Sequence, residues 1–128
     1  MNLGTILKIE EIQPILKADR VVRARVLTDI WLVTGTMNNF CVGDLVVYIK
    51  PNVFVPETTA TWLCDPENPD IYQNVPGGYV KLSTIRGIES NGLIMPLVTS
   101  QYKLENVIEG DDVTDILGLR DWATLPLA

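Results

Sequence analysis

The densest cationic feature of the chain is Arg20-Val21-Val22-Arg23-Ala24-Arg25. Read as a strand, it sends Val22, Ala24 and Val26 to one face and Val21, Arg23 and Arg25 to the other. The two guanidiniums then stand about 7 Å apart, close to the spacing of phosphates along a nucleic-acid strand. Trp31 and Tyr48 are candidates to present rings nearby, and a ring face stacks on any base regardless of sequence. The plainer alternative is a solvated outer face in which an arginine pairs with Glu10 or Glu11.

A second candidate segment runs from Lys81 to Leu93, as KLSTIRGIESNGL. It offers the cations Lys81 and Arg86, two glycines for tight backbone geometry, and the polar groups of Ser90 and Asn91. Such groups can bond phosphates or base edges; a polar turn with Arg86 paired to a nearby acid is the competing reading. Acidic clusters at Asp65/Glu67/Asp70 and Glu109/Asp111/Asp112 do not have ion-binding spacing. The first lacks the central glycine and terminal glutamate of a calcium loop, and the second reads as a turn leading into a helix N-terminus. No metal site and no cofactor are expected.

Classical nucleophilic catalysis lacks its parts. There is no histidine, so neither a Ser/His/Asp nor a Cys/His arrangement can be assembled. Cys41 and Cys64 are the only cysteines, form no CxxC, and read as two reduced, partly buried thiols. No catalytic residue is assigned.

The elements that must position these groups are strands. Thr5 to Ile12 reads as a first strand stopped by Pro14; Lys17-Ala18-Asp19 reads as a turn. Arg20 to Leu27 then forms a hairpin with Ile30 to Thr36 across Thr28-Asp29. After the Val42-Gly43-Asp44 turn, Leu45 to Lys50 sends Leu45, Val47 and Ile49 one way and Val46, Tyr48 and Lys50 the other. Prolines and glycines punctuate residues 51–78, which read as a long loop that Trp62 and Tyr72 could pin to the body. Strand character returns at Tyr79 to Ile85 and at Leu93 to Leu97, after a Glu89-Ser90-Asn91-Gly92 turn. Asp115 to Leu117 reads as a short C-terminal helical turn capped by Gly118. The expectation is an all-β fold, a small barrel of five or six strands with a long internal loop.

The 128 residues, 47% hydrophobic and 20% charged, suit a single domain over 1–128 with a core of its own. Apolar runs such as Leu45 to Ile49 are far too short to span a membrane. The N-terminus lacks the basic start and apolar middle of a signal peptide, so a cytoplasmic protein is expected. A net charge of −6 argues against a binder driven by charge alone. Its distribution is uneven: residues 1–50 carry six basic and five acidic side chains, and residues 51–128 carry four and eleven. A phosphate-facing surface therefore belongs on the N-terminal strands.

The ordered set ILKIEEIQPI, ADRVVRARV, VGDLVVYIKPNVFVPE, VKLSTIRGIESNGLIMPL and EGDDVTDILGL resembles the N-terminal OB-fold domain of a group of RNA ligases. Those enzymes carry the OB module ahead of an adenylyltransferase domain. Over residues 3 to 119 the resemblance implies an OB-fold-like barrel that positions nicked RNA for a ligase catalytic domain, in the same or another chain. A more distant resemblance, through Ala18-Asp19-Arg20 and Arg86-Gly87-Ile88-Glu89-Ser90-Asn91-Gly92, is to the tRNA-binding OB domains of aminoacyl-tRNA synthetases. It implies a free-standing tRNA binder with Lys81, Arg86, Ser90 and Asn91 on the RNA side. The acidic second half suggests a third reading, a protein-interaction module without RNA. The KxDG motif of ligases does not occur; Lys17-Ala18-Asp19-Arg20 ends in the wrong residue. Ligation by this stretch itself is not expected, and the RNA-binding set is Arg23, Arg25, Trp31, Tyr48, Lys81, Arg86, Ser90 and Asn91.

Overall fold

The computed structural model describes residues 3–15, 18–27, 30–35, 40–80, 83–85, 88–99 and 102–121. Its first strand is bent. Strand β1 (Gly4–Lys8) pairs antiparallel with β5 (Leu45–Ile49), and β2 (Glu11–Ile15) pairs antiparallel with β3 (Ala18–Leu27). Partners change at Ile9 and Glu10. The Ile9 amide donates to the Asp44 carbonyl and its carbonyl accepts from Gly43, whereas the Glu10 amide donates to the Arg25 carbonyl. One continuous chain segment thereby joins two sheets without leaving its backbone groups unpaired.

Sequence patterning places one strand where the structure has this bend, and it ends that strand at Pro14. Pro14 instead lies inside β2, opposite Val22. Strand β2 is the edge of the sheet β2-β3-β4, and an edge tolerates a residue without an N–H. Strand β4 (Ile30–Gly35) pairs with β3 as expected; Thr28-Asp29 lies outside the described residues. On its far side β4 meets β10 (Ile88–Ser90), which pairs with β9 (Ser83–Ile85) and leads into β11 (Leu93–Met95). The Val33 amide donates to Ser90 Oγ at 3.0 Å and the Asn91 amide to the Trp31 carbonyl at 3.1 Å. Strand β11 then pairs with β5. Around the barrel the order is β1/β2, β3, β4, β10/β11, β5 and back to β1, the five-stranded OB arrangement. Glu89-Ser90 belongs to a strand rather than to the expected turn, which narrows to Asn91-Gly92. At Gly92, with φ +129°, a Cβ would sit 2.6 Å from both the Ile49 carbonyl oxygen and the Tyr48 ring. Only glycine lets this turn lie so close over β5.

Both faces of β5 are buried. Val46 and Tyr48 join Leu7, Ile9, Ala24, Val26, Leu32 and Ile94 inside the barrel. Val47 and Ile49 join Ile6, Val53, Val55, Met95, Val113, Leu117 and Leu119 in a second core on the other side. A strand in that position can carry no polar face, which is why Leu45-Val46-Val47-Tyr48-Ile49 reads as an unbroken apolar run.

The second core is covered by the stretch expected to be a loop. Residues 51–78 hold β6 (Val53–Pro56), one 3-10 turn at Thr61–Leu63, β7 (Asp70–Tyr72) and the start of β8 (Val75–Tyr79). With β12 (Arg120–Asp121) they form a four-stranded sheet in the order β12-β6-β8-β7. The prolines and glycines that suggested a loop serve packing. A side chain at Gly77 would collide with the Val55 carbonyl, and one at Gly78 with the Leu63 carbonyl. Tyr72 stacks its ring on Phe54 at 5.4 Å, which ties β7 to β6 within the excursion rather than to the barrel; the Trp62 side chain lies outside the described residues.

The C-terminal segment covers the free edge of β1. The Ile6 amide donates to Asp111, and the Val113 amide to Gly4. Thr114 Oγ1 accepts the Leu3 amide at 2.9 Å and the Gly4 amide at 3.3 Å, and its own proton goes to Asp112. The expected helical turn follows and closes on Gly118 at φ +68°, with Leu119 donating to Thr114 and Gly118 to Asp115. Replacing Thr114 by Val leaves two amides at a buried position without their acceptor, an expected loss of about 1–3 kcal/mol. The check is a lower urea midpoint at unchanged m-value. The Thr114 hydroxyl and amide also hold the Asp112 carboxyl below the usual carboxylate range. Because the folded value is depressed, its contribution is present above the unfolded value and is lost as pH falls through the folded one. Asp112→Asn should therefore remove part of the acid-induced loss of stability, as measured by urea midpoints along a pH series.

Candidate nucleic-acid interface

The alternation expected in β3 is present: Ala24 and Val26 are fully buried, while Arg23 and Arg25 are half-buried on the opposite face. In the hairpin register Arg25 stands opposite Trp31 and Arg23 opposite Val33. Trp31 is thus directly across from one arginine and diagonal to the other, within reach of both. The Arg23 guanidinium carbon lies 4.0 Å from the centre of the Trp31 ring, and that of Arg25 5.8 Å. Such contacts are worth about 0.5–1 kcal/mol each where water has access. The register slips between Arg25 and Leu27, and bulges of this kind re-aim side chains at barrel rims.

The bend in the first strand delivers two carboxylates to the same place. Glu10 is bonded through its amide to Arg25, and Glu11 is the register partner of Arg25. Arg25 NH1 lies 3.5 Å from Glu10 Oε1 and NH2 lies 3.4 Å from Glu11 Oε1. The Gln13 side-chain amide donates to the other oxygen of Glu11. Arg25 is therefore held between two acids, as the plainer reading of the sequence allowed. Arg23 is different: among the described residues no acceptor meets its guanidinium, and its Nε, like that of Arg25, is buried without a partner.

Tyr48 has to be removed from the stacking set. It is only 5% exposed, lies inside the barrel, and donates its hydroxyl to the Asn91 carbonyl at 2.6 Å. Burial accordingly raises its pKa. Of the two aromatic candidates, the one on a rim strand stays accessible and the one on the doubly buried strand does not. Ser90 is buried as well, its hydroxyl accepting from Val33 and facing the Gly92 carbonyl at 3.4 Å. It ties β10 to β4 and offers nothing to a ligand. Asn91 is half-buried beside Trp31 and is joined to it through the backbone. Lys81 and Arg86 lie outside the described residues.

Elsewhere, sequence reading missed two shallow grooves beside the excursion. One of about 300 Å³ is lined by Phe54, Pro56, Tyr72, Val75 and Arg120. Its neighbour of about 270 Å³ shares Tyr72 and Arg120 and adds Asp112 and Asp115. They have no local sequence signal, because each is formed by segments far apart in the chain. Among the described residues no three potential ligands converge on a metal position, and no helix is long and apolar enough to cross a membrane. Cys64 faces Glu57 at 3.6 Å, and desolvation together with that carboxylate raises its pKa; such a thiol is a poor nucleophile.

Solved structures of Naegleria gruberi RNA ligase share this architecture. The form with pyrophosphate superposes with a TM-score of 0.82 at 27% identity, over 100% of this chain and 37% of the ligase. A variant with ATP and manganese gives 0.79 at 28% identity, over 95% and 36%. A variant without ligand gives 0.80 at 28%, over 95% and 35%. The chain therefore spans little more than a third of the ligase it resembles. Curated protein sequences give no match. Residues 3–97 match the family described as an OB-fold domain; with the strand order around the barrel, this shows that the chain belongs to the OB-fold domain family.

Proposed function

We propose that this chain is a non-catalytic RNA-binding module that positions RNA for an adenylyltransferase domain, in the same or another chain, and works in the cytoplasm. The observation that carries the reading is the Arg23–Trp31–Arg25 cluster on the outer face of β3 and β4. These are the second and third strands of the barrel, and that face of an OB barrel is a recurrent oligonucleotide surface. An indole flanked by guanidiniums suits RNA, whose unpaired bases stack on aromatic rings and arginine planes. The likeness to a protein named as an RNA ligase supports RNA as the polymer.

In this reading Trp31 supplies the stacking surface and Arg23 the phosphate contact. Asn91 lies at the rim, and Lys81 and Arg86 extend the surface on the grounds of sequence. Tyr48 and Ser90 hold β10, β11 and β4 in register behind it. The chain carries no KxDG motif, so the lysyl-adenylate would form on the partner domain.

The test is fluorescence anisotropy with nicked duplex, intact duplex, single-stranded RNA and tRNA across a salt series. Nicked RNA is expected to bind best. Trp31→Ala should weaken binding by roughly five- to a hundredfold, the value of one base–aromatic stack, and Trp31→Phe should keep most of it. A preference for tRNA over nicked RNA would replace the ligase reading with a tRNA-binding one. No binding to any RNA at low salt would leave a protein-interaction module.

A further inference from the structure

The outer face of β3 is formally neutral where the ring lies. Arg23 and Arg25 bring two positive charges, and Glu10 and Glu11, delivered by the bend at Ile9-Glu10, bring two negative ones. The pairing is fixed by the backbone. Glu10 is hydrogen-bonded to Arg25 at 2.7 Å through main-chain atoms, Glu11 stands opposite it in register, and Gln13 steadies Glu11 from the same strand. Both terminal nitrogens of Arg25 face carboxylates, and its Nε is buried. Its charge is compensated by the two carboxylates, so an incoming phosphate meets a guanidinium already neutralised unless an acid gives way. Arg23 has no such partner among the described residues.

We infer that Glu10 and Glu11 are specificity-determining residues that restrict this platform to an unpaired nucleotide. The inference rests on the RNA-binding reading and adds what the RNA must present. Intact duplex RNA keeps its bases inside the stack and offers a protein mainly phosphates, 2′-hydroxyls and a shallow groove. Gripping it takes several cations in a row, and the carboxylates neutralise one of the two that flank the ring. A nucleotide at a nick, gap or broken end, where it is free to leave the stack, needs only a ring to stack on and one cation for its phosphate. Trp31 and Arg23 supply that combination. The carboxylates repel any phosphate that approaches; a nucleotide that stacks on Trp31 offsets this and duplex backbone does not, so the net penalty falls on duplex.

The experiment measures affinity and its salt dependence for two RNAs, a blunt duplex and the same duplex with a single-stranded gap. The proteins are the unaltered chain and the double variant Glu10→Gln, Glu11→Gln, each checked for an unchanged circular dichroism spectrum and melting profile. The unaltered chain should favour the gapped RNA by roughly tenfold, as one stack implies. Each single-strand phosphate contact it makes should add about −0.7 to its log–log salt slope. In the double variant Arg25 is released, so duplex affinity should rise and the slope should steepen by about one phosphate contact. The preference for gapped RNA should shrink accordingly. Equal binding of both RNAs by the unaltered chain with a steep slope, or a double variant with unchanged duplex affinity and slope, overturns the role given to the carboxylates and leaves RNA binding standing. Failure of both proteins to bind either RNA at low salt overturns the RNA-binding reading, and this inference with it.

Discussion

Strand β5 has apolar side chains in both directions and a packed core on each side. Val46 and Tyr48 fill the barrel, and Val47 and Ile49 fill the layer beneath the excursion. A buried aliphatic side chain contributes about 1.5–3 kcal/mol, so neither core can be dropped without stranding half of the strand in water. The rest of the chain follows from this. The barrel needs β1 and β11 as neighbours of β5, and the second core needs a cover. Strand β6, Ala60, Val80 and Leu104 together with the Val113–Leu119 turn provide that cover. The acidic segment from Gly110 to Val113 stays in place because its backbone completes the edge of β1.

The bend at Ile9-Glu10 is the second constraint. A barrel closes only if one strand can pair with two others in turn, and here the first strand changes partner from β5 to β3 within two residues. Closure has a chemical side effect. It sets Glu10 and Glu11 against the face where Arg23, Arg25 and Trp31 cluster. A surface pair of this kind contributes at most about 1 kcal/mol to stability. Its larger consequence is electrostatic: it removes a cation from a surface that the net charge of −6 already leaves short of them. In the proposed RNA-binding reading, the ring then carries more of the contact.

How much of this the sequence disclosed depended on whether a signal was local. The alternation in Arg20 to Leu27 placed Arg23 and Arg25 on one face, and the short connection to Ile30 placed Trp31 beside them; both are properties of a single hairpin. The resemblance to the OB domain of RNA ligases agrees with the observed strand order and with the likeness to the Naegleria enzyme. What failed was non-local. Tyr48 looked available because alternation reveals two faces without revealing that both are covered. Residues 51–78 looked like a loop because proline and glycine usually break strands, whereas here Gly77 and Gly78 allow three backbone segments to pack too closely for side chains. Pro14 was read as a stop because nothing in the sequence marks β2 as an edge. The pairing of Arg25 with Glu10 and Glu11 was visible as an alternative, but its geometry depends on a bend that no local pattern announces.

In the proposed reading, RNA lands on β3 and β4. Nuclear magnetic resonance spectra of the labelled chain, recorded while gapped RNA is added, test this most directly because every amide and indole reports separately. The Trp31 indole, the Arg23 side chain and the amides of β3 and β4 should shift together, while the amides of β6, β7 and β12 stay where they were. Shifts confined to the Tyr72 and Arg120 grooves, with Trp31 unmoved, would contradict it.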